Sequence, residues 1–313
     1  MLKLAIVGAG SMAREHLRVL NKMPDIDVVG IYSRTNARAA ALSEEFSIRV
    51  VARSINELYL ETEAAGVVIA VSEVSTESIC LQALAHPWKL LVEKPVGLCL
   101  DETRRILDFA EGKEDSFFVA MNRRNYASTL MALNELSRLG GERVIQIIDQ
   151  EDPLLALRGG RLKQVCDQWH FANSIHLIDL INVFCRGSLV SVNNVIPWQD
   201  GYLPKVTHSI ISFDSGDIGI YHSVWNAPGP WSLTIETTKK RIEMRPLENL
   251  AIQTYPERHS EFQKISREDD DLKPGFLRQM HEFSEALKGR SCNLPTLKTY
   301  LTTAKLTHEL YSI

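Results

Sequence analysis

No run of apolar residues in this sequence approaches the roughly 20 that a membrane-spanning helix needs, so a soluble protein is expected. Charge of one sign is also missing. The 35 lysines and arginines against 39 acids leave a formal net charge of -4, well mixed along the chain, with no basic footprint for nucleic acid or an anionic membrane. A small-molecule partner is expected instead. Cysteine is scarce: Cys80, Cys99, Cys166, Cys185 and Cys292 form an odd set with no CxxC pair and no ligand spacing. That argues against a disulfide framework or structural zinc and fits reduced thiols in the cytosol. The apolar start at residues 2–7 breaks into Gly8 and Gly10 too soon for the core of a secretory signal, and no small-residue cleavage pattern follows, so a cytoplasmic location is expected. No GxSxG elbow of a nucleophilic hydrolase is present.

What is present is an alternation of strands and helices. Residues 2–7, 27–33, 65–71, 90–94 and 116–122 read as buried strands, and residues 11–20, 36–46, 76–85 and 101–112 as helices between them. Right-handed crossovers at this pitch predict an α/β Rossmann domain with a doubly wound parallel sheet. From Val144 onward, strands follow one another (VIQIID, SLVSVNNVI, HSIISFDS, DIGIYHSVW, SLTIETT, KRIEMRP, LAIQTYP), with hairpin turns such as Asp214-Ser215-Gly216-Asp217. A helix at 173–184 interrupts them, and helices at 275–287 and 296–311 close the chain. This predicts an α+β second domain with an open, mostly antiparallel sheet. The boundary is placed near Met121, giving residues 1–121 as a dinucleotide-binding domain and 122–313 as a substrate-binding and oligomerisation domain. The charge run at 267–271 reads as a solvated loop.

Gly8-Ala9-Gly10-Ser11-Met12-Ala13 fits GxGxxA between a strand and a helix. Gly8 permits the tight turn, Gly10 lets the backbone approach a pyrophosphate, and Ala13 lets the helix sit close to the strand. The helix start, with Ser11 and Met12, offers N–H groups and partial positive charge to phosphates. At the end of the second strand an acid would hold a ribose 2′-hydroxyl, but the chain has Ser33 and Arg34, with Arg38 a turn further on. A guanidinium and a hydroxyl suit a 2′-phosphate, so NADP is expected, with NAD as the alternative. The competing reading of Arg34 and Arg38 is as ordinary solvated residues at a helix start. Val71 and Ser72, after the third predicted strand, are further cofactor contacts.

Glu93-Lys94-Pro95 falls at the carboxyl edge of a buried strand, where open α/β sheets bind ligands. Lys94 there could hydrogen-bond a hydroxyl or carbonyl undergoing hydride transfer, or be a surface strand-end lysine. A cis Lys94-Pro95 bond is compatible with this segment.

GAGSMA, LLVEKPVG and HFANSIHLIDL together resemble the glucose-fructose oxidoreductase, inositol dehydrogenase and rhizopine-catabolism (Gfo/Idh/MocA) family, over both domains. The resemblance implies reduction or oxidation of sugars, cyclitols or nucleotide sugars. It assigns Lys94 as the active-site lysine, also in contact with the cofactor, Glu93 to the nicotinamide ribose, and His176 as proton donor or acceptor, a role that an imidazole suits near neutral pH. Asp179, at i+3, could orient His176. The resemblance also places Arg124 and Tyr126 at the substrate pocket, the alternative for Arg123 or Arg124 being an ion pair at the domain seam. Trp169 and His170 match a loop on the substrate side, where Trp169 could stack on a pyranose or fill core. Two departures stand out. Ala172 occupies a position that is usually Asp or Asn, with Asn173 beside it but about 100° round a helix, and Val71-Ser72-Glu73-Val74-Ser75-Thr76 replaces the usual TPNxxH. Asp167, His170, His176 and Asp179 lack metal-ligand spacing, so no metal is expected.

The expected function is hydride transfer between NAD(P) and a secondary alcohol or ketone of a sugar, cyclitol or nucleotide sugar, catalysed with Lys94 and His176 and with Asn173 lining the substrate. Two alternatives remain open. A dinucleotide-sensing binding protein would bind NADP tightly but turn over slowly, and a redox-assisted glycoside hydrolase would release sugar without net NADPH. A homodimer or homotetramer through the second sheet is expected from the resemblance.

Overall fold

The computed structural model describes residues 1–199, 205–229, 231–266 and 271–311; positions 267–270 of the charge run lie outside them. The first strands and helices are β1 (Leu2–Val7), α1 (Ser11–Leu20), β2 (Ile26–Tyr32), α2 (Asn36–Phe46), β3 (Val50–Ala52), α3 (Ile55–Thr62), β4 (Gly66–Ile69), α4 (Thr76–Leu84), β5 (Lys89–Glu93), α5 (Leu100–Phe109) and β6 (Phe117–Ala120). There follow α6 (Ala127–Ser137), β7 (Val144–Asp149), α7 (Pro153–Arg158), α8 (Lys163–Asp167), α9 (Ile175–Phe184), β8 (Leu189–Ile196), β9 (Lys205–Phe213) and β10 (Ile218–Trp225). The chain ends with β11 (Ser232–Glu236), β12 (Lys240–Met244), β13 (Ala251–Thr254), β14 (Glu261–Phe262), α10 (Phe276–Leu287) and α11 (Leu297–Tyr311). Among the described residues, no helix is long and apolar enough to cross a membrane.

The chain forms two compact units, Met1–Asn122 with Glu268–Leu301, and Arg123–Arg267 with Thr302–Ile313. In the first, a six-stranded parallel sheet runs β3-β2-β1-β4-β5-β6, a doubly wound order that reverses between β1 and β4. Leu4, Ala5, Ile6 and Val7 of β1 are buried without alternation because helices cover both faces of the sheet. β3 and α3 do not figure in the expected pattern. β3 is only three residues long, but α3 has a readable start: Ser54 Oγ accepts from Glu57 N at 3.0 Å, while Glu57 Oε2 accepts from Arg53 N at 2.9 Å, close to a capping box. The helix at 275–287, read from sequence as part of the second domain, packs in the first unit. Phe276, Met280, Phe283 and Ala286 of α10 share a core with Leu4, Ile6, Leu17 and Leu91.

In the second unit, an eight-stranded sheet among the described residues runs β14-β13-β12-β11-β7-β10-β9-β8. Its pairs are antiparallel except β7 with β10. β10 alternates buried and less buried residues, so one face is a core face. Against it lies α9, whose Leu177, Ile178, Leu180, Ile181 and Phe184 cluster with Ile145, Ile147, Tyr221, Leu233 and Ile235.

Candidate active site

In the first unit the glycine turn takes the form its residues require. Gly8 has φ +117°, and a Cβ there would stand 2.0 Å from the Ala70 carbonyl oxygen, so no side chain fits. A Cβ on Gly10 would meet nothing within 4 Å, which leaves its backbone open to an incoming group. Ala13 is fully buried. Gly10 caps α1 in extended conformation, and the first turn of α1 carries no acid to compete with an anion at its N–H groups.

Beyond β2, Ser33 is half-buried and its Oγ accepts from Thr35 N at 3.4 Å. Arg34 and Arg38 are exposed, and among the described residues neither is held in an ion pair. Val71 is half-buried beyond β4, and exposed Ser72 shares a hydrogen bond with Ser75 at 3.0 Å between hydroxyl oxygens.

Glu93 ends β5 and Lys94 follows it, half-buried, with a cis bond to Pro95. The following residues are tied down: Val96 N donates to Tyr300 OH at 3.1 Å, and Thr103 Oγ1 donates to Val96 O at 2.7 Å. Because β1, β4 and β5 are parallel neighbours, the glycine turn, Val71-Ser72 and Glu93-Lys94 all leave the sheet at one edge. Glu93 also has a partner that the sequence reading missed, His16 of α1, whose Nε2 lies 2.7 Å from Glu93 Oε1. A polar residue on the apolar stripe of Ala13, Leu17 and Leu20 was the available signal.

In the second unit, His176 is buried on α9 at 3% exposure. Asp179 is also buried, and its carboxylate accepts from Arg124 Nε at 2.7 Å, Arg124 Nη2 at 2.6 Å and Thr303 Oγ1 at 2.7 Å. Burial alone would lower the Arg124 pKa, but Asp179 outweighs it and holds the guanidinium above its ordinary value. Arg123 lies over the Trp231 ring at 4.4 Å, and Tyr126 is buried at the start of α6.

Trp169, His170 and Asn173 are half-buried, and two of them meet a carboxylate that no sequence signal marked. Glu151 accepts from Trp169 Nε1 at 2.7 Å and from Asn173 Nδ2 at 2.9 and 3.0 Å. The His170 ring stacks on Tyr311 at 4.8 Å. Residues 170–174 form a π-helical turn before α9, so the α-helical angle used to relate Ala172 and Asn173 to His176 does not apply across it. Ala172 itself is buried at 4% exposure. Beneath this turn lies a fully buried polar group: Tyr221 OH donates to Asp149 Oδ2 and shares a hydrogen bond with Tyr311 OH at 2.7 Å. Burial pushes the Asp149 carboxyl up to about 6.

A doubly wound sheet with a glycine turn after its first strand, joined to an open and mostly antiparallel sheet, defines a two-unit protein of the dinucleotide-binding Rossmann class. Residues 2–121 match the model of the Gfo/Idh/MocA family, described as an oxidoreductase family with an NAD-binding Rossmann fold. Among curated proteins, glucose-6-phosphate 3-dehydrogenase of Bacillus subtilis (strain 168) is 26% identical over 188 residues. That alignment covers 58% of this chain and 53% of the enzyme, about half its length. A dehydrogenase from Chromobacterium violaceum superposes with a TM-score of 0.84 at 20% identity, over 99% of this chain and 94% of that one. Levoglucosan dehydrogenase in complex with NADH and levoglucosan gives a TM-score of 0.81 at 16% identity, over 99% and 95% of the two chains. At these identities the two superpositions establish a shared fold.

Proposed function

We propose that the protein is an NAD(P)-dependent dehydrogenase or reductase acting on a secondary alcohol or ketone of a sugar, cyclitol or nucleotide sugar. The observation that carries this reading is the shared sheet edge of the glycine turn and Lys94, at the switch point where doubly wound sheets take ligands. The glycine turn fits a dinucleotide: Gly8 leaves no room for a side chain, and Gly10 leaves its backbone accessible. Gly8, Gly10, Ser11 and Met12 would hold the pyrophosphate, Val71 and Ser72 would lie along the cofactor, and Glu93 would take the nicotinamide ribose. The bound cofactor supplies the hydride acceptor or donor.

In this reading Lys94 hydrogen-bonds the reacting oxygen and stabilises charge on it, while His176 accepts or returns the hydroxyl proton. Trp169, Asn173 and Tyr126 line the sugar. Arg124, held on Asp179, presents a fixed positive edge to the substrate and not a mobile one. NADP is the proposed cofactor, supported by the exposed Arg34 and Arg38 beside Ser33. A cytoplasmic location and a homodimer or homotetramer complete the proposal. The second is supported by apolar side chains exposed on the second sheet, among them Val190, Val195, Ile196 and Ile210.

The test is a fluorescence titration with NADPH and NADH, followed by a screen of free polyols, sugar phosphates and nucleotide sugars read by reduced-nicotinamide absorbance. Binding with turnover on one of these classes is expected. Failure to bind either dinucleotide would refute the reading.

A further inference from the structure

His16, which forms a buried pair with Glu93, has no part in the mechanism above. His16 is fully buried on α1, the helix that begins at the glycine turn, and its Nε2 stands 2.7 Å from Glu93 Oε1 at the end of β5. The imidazole lies against the Phe276 ring, with centroids 4.8 Å apart. Its Nδ1 is buried and, among the described residues, has no hydrogen-bond partner. A proton on that nitrogen would be left unsatisfied in an apolar setting, so the arrangement selects the tautomer with Nδ1 bare and Nε2–H donating to the carboxylate. The Glu93 side chain is 10% exposed, so this bond forms largely out of water, where an ionic acceptor strengthens it.

We infer that His16 is a positioning residue that holds the Glu93 carboxylate in place for the nicotinamide half of the dinucleotide, linking the helix behind the phosphate turn to the strand end that carries Lys94. The inference rests on the dinucleotide reading above. Glutamate has three side-chain torsions, and a carboxylate tethered at one oxygen keeps the other in a narrow range of directions. Without His16 that oxygen samples several rotamers, and the ordering cost falls on the bound state. The effect is confined to one half of the ligand. The adenosine half faces Ser33 and Arg34, at the end of a different strand, and does not depend on Glu93.

The test compares two ligands on the full-length protein: whichever of NADPH and NADH the native chain binds, and the matching fragment, 2′,5′-ADP or ADP, which lacks the nicotinamide ribose. His16→Phe keeps a ring against Phe276 but removes the donor. If His16→Phe does not fold, His16→Asn, whose amide is too short to reach Glu93, takes its place. The dinucleotide is expected to bind about tenfold more weakly while the fragment is unaffected. His16→Gln, which keeps a neutral N–H donor at similar reach, is expected to recover most of the loss. Equal weakening of both ligands would show that His16 merely seats α1, and unchanged binding of both would show no role; either result overturns the inference. Native protein that binds neither ligand would overturn the dinucleotide reading, and the role of His16 with it.

Discussion

Arg124 directs both arms of its guanidinium fork onto the carboxylate of Asp179, 55 residues later in the chain, at 2.7 and 2.6 Å. Thr303 Oγ1 adds a third hydrogen bond at 2.7 Å. Sequence reasoning set Arg124 either facing a substrate or in an ion pair at the domain seam, and gave Asp179 the separate task of orienting His176. The structure makes them partners, so perturbing either is first a perturbation of the other. Asp179→Asn leaves a largely buried guanidinium without its counter-charge and is expected to destabilise the protein by about 3 kcal/mol. Urea unfolding of the variant measures it, and a loss within experimental error of zero would mean that the pair contributes nothing.

Lys94→Ala is expected to lower turnover by roughly 100- to 1000-fold with dinucleotide binding retained, because the main task assigned to the lysine is at the reacting oxygen. Kinetics beside a binding titration separate the two. Weakened dinucleotide binding with unchanged turnover per bound cofactor would contradict the assignment.

Arg34→Ala removes the cation expected at a 2′-phosphate. Binding of NADPH should weaken by roughly tenfold or more while NADH binding stays within about twofold. Equal effects on the two would assign Arg34 to the solvated surface.

Asp149 provides a pH dependence whose sign follows from its burial. Its carboxyl is raised to about 6 in the folded protein, from an ordinary value near 4, so folding favours the protonated form. The associated stability is fully present below about pH 4 and is lost as pH rises through about 6. The change is about 3 kcal/mol for a shift of this size. Asp149→Asn removes the titration. The unfolding free energy of the native protein relative to Asp149→Asn should therefore fall between pH 4 and 7, and a flat difference would exclude this role. Tyr221 and Tyr311, which share the cluster, titrate far above this range, burial having raised both.

Gln279 of α10 is fully buried, and among the described residues neither its amide nitrogen nor its amide oxygen has a hydrogen-bond partner. Gln279→Met keeps the length of the side chain and removes the unsatisfied group, which is expected to stabilise the first unit by about 1 kcal/mol. A lowered melting temperature would instead point to ordered water satisfying the amide.

The order of strands and helices in the first unit, the glycine turn and the cis-proline segment after Glu93 were legible in the sequence because each is a local pattern: continuous apolar runs, GxGxxA and Lys-Pro. The alternating strands that make up the second sheet were legible for the same reason. β3 was too short to form a pattern of its own, and the capping residues of α3, Ser54 and Glu57, were the one clue to that stretch. What only the tertiary structure decided are partnerships between residues far apart in the chain. His16 reaches Glu93 across 77 positions, Glu151 gathers Trp169 and Asn173, and α10 returns from the end of the chain to the first core. No periodicity encodes such pairings, since which buried donor meets which carboxylate follows from how the elements pack once their apolar faces are covered.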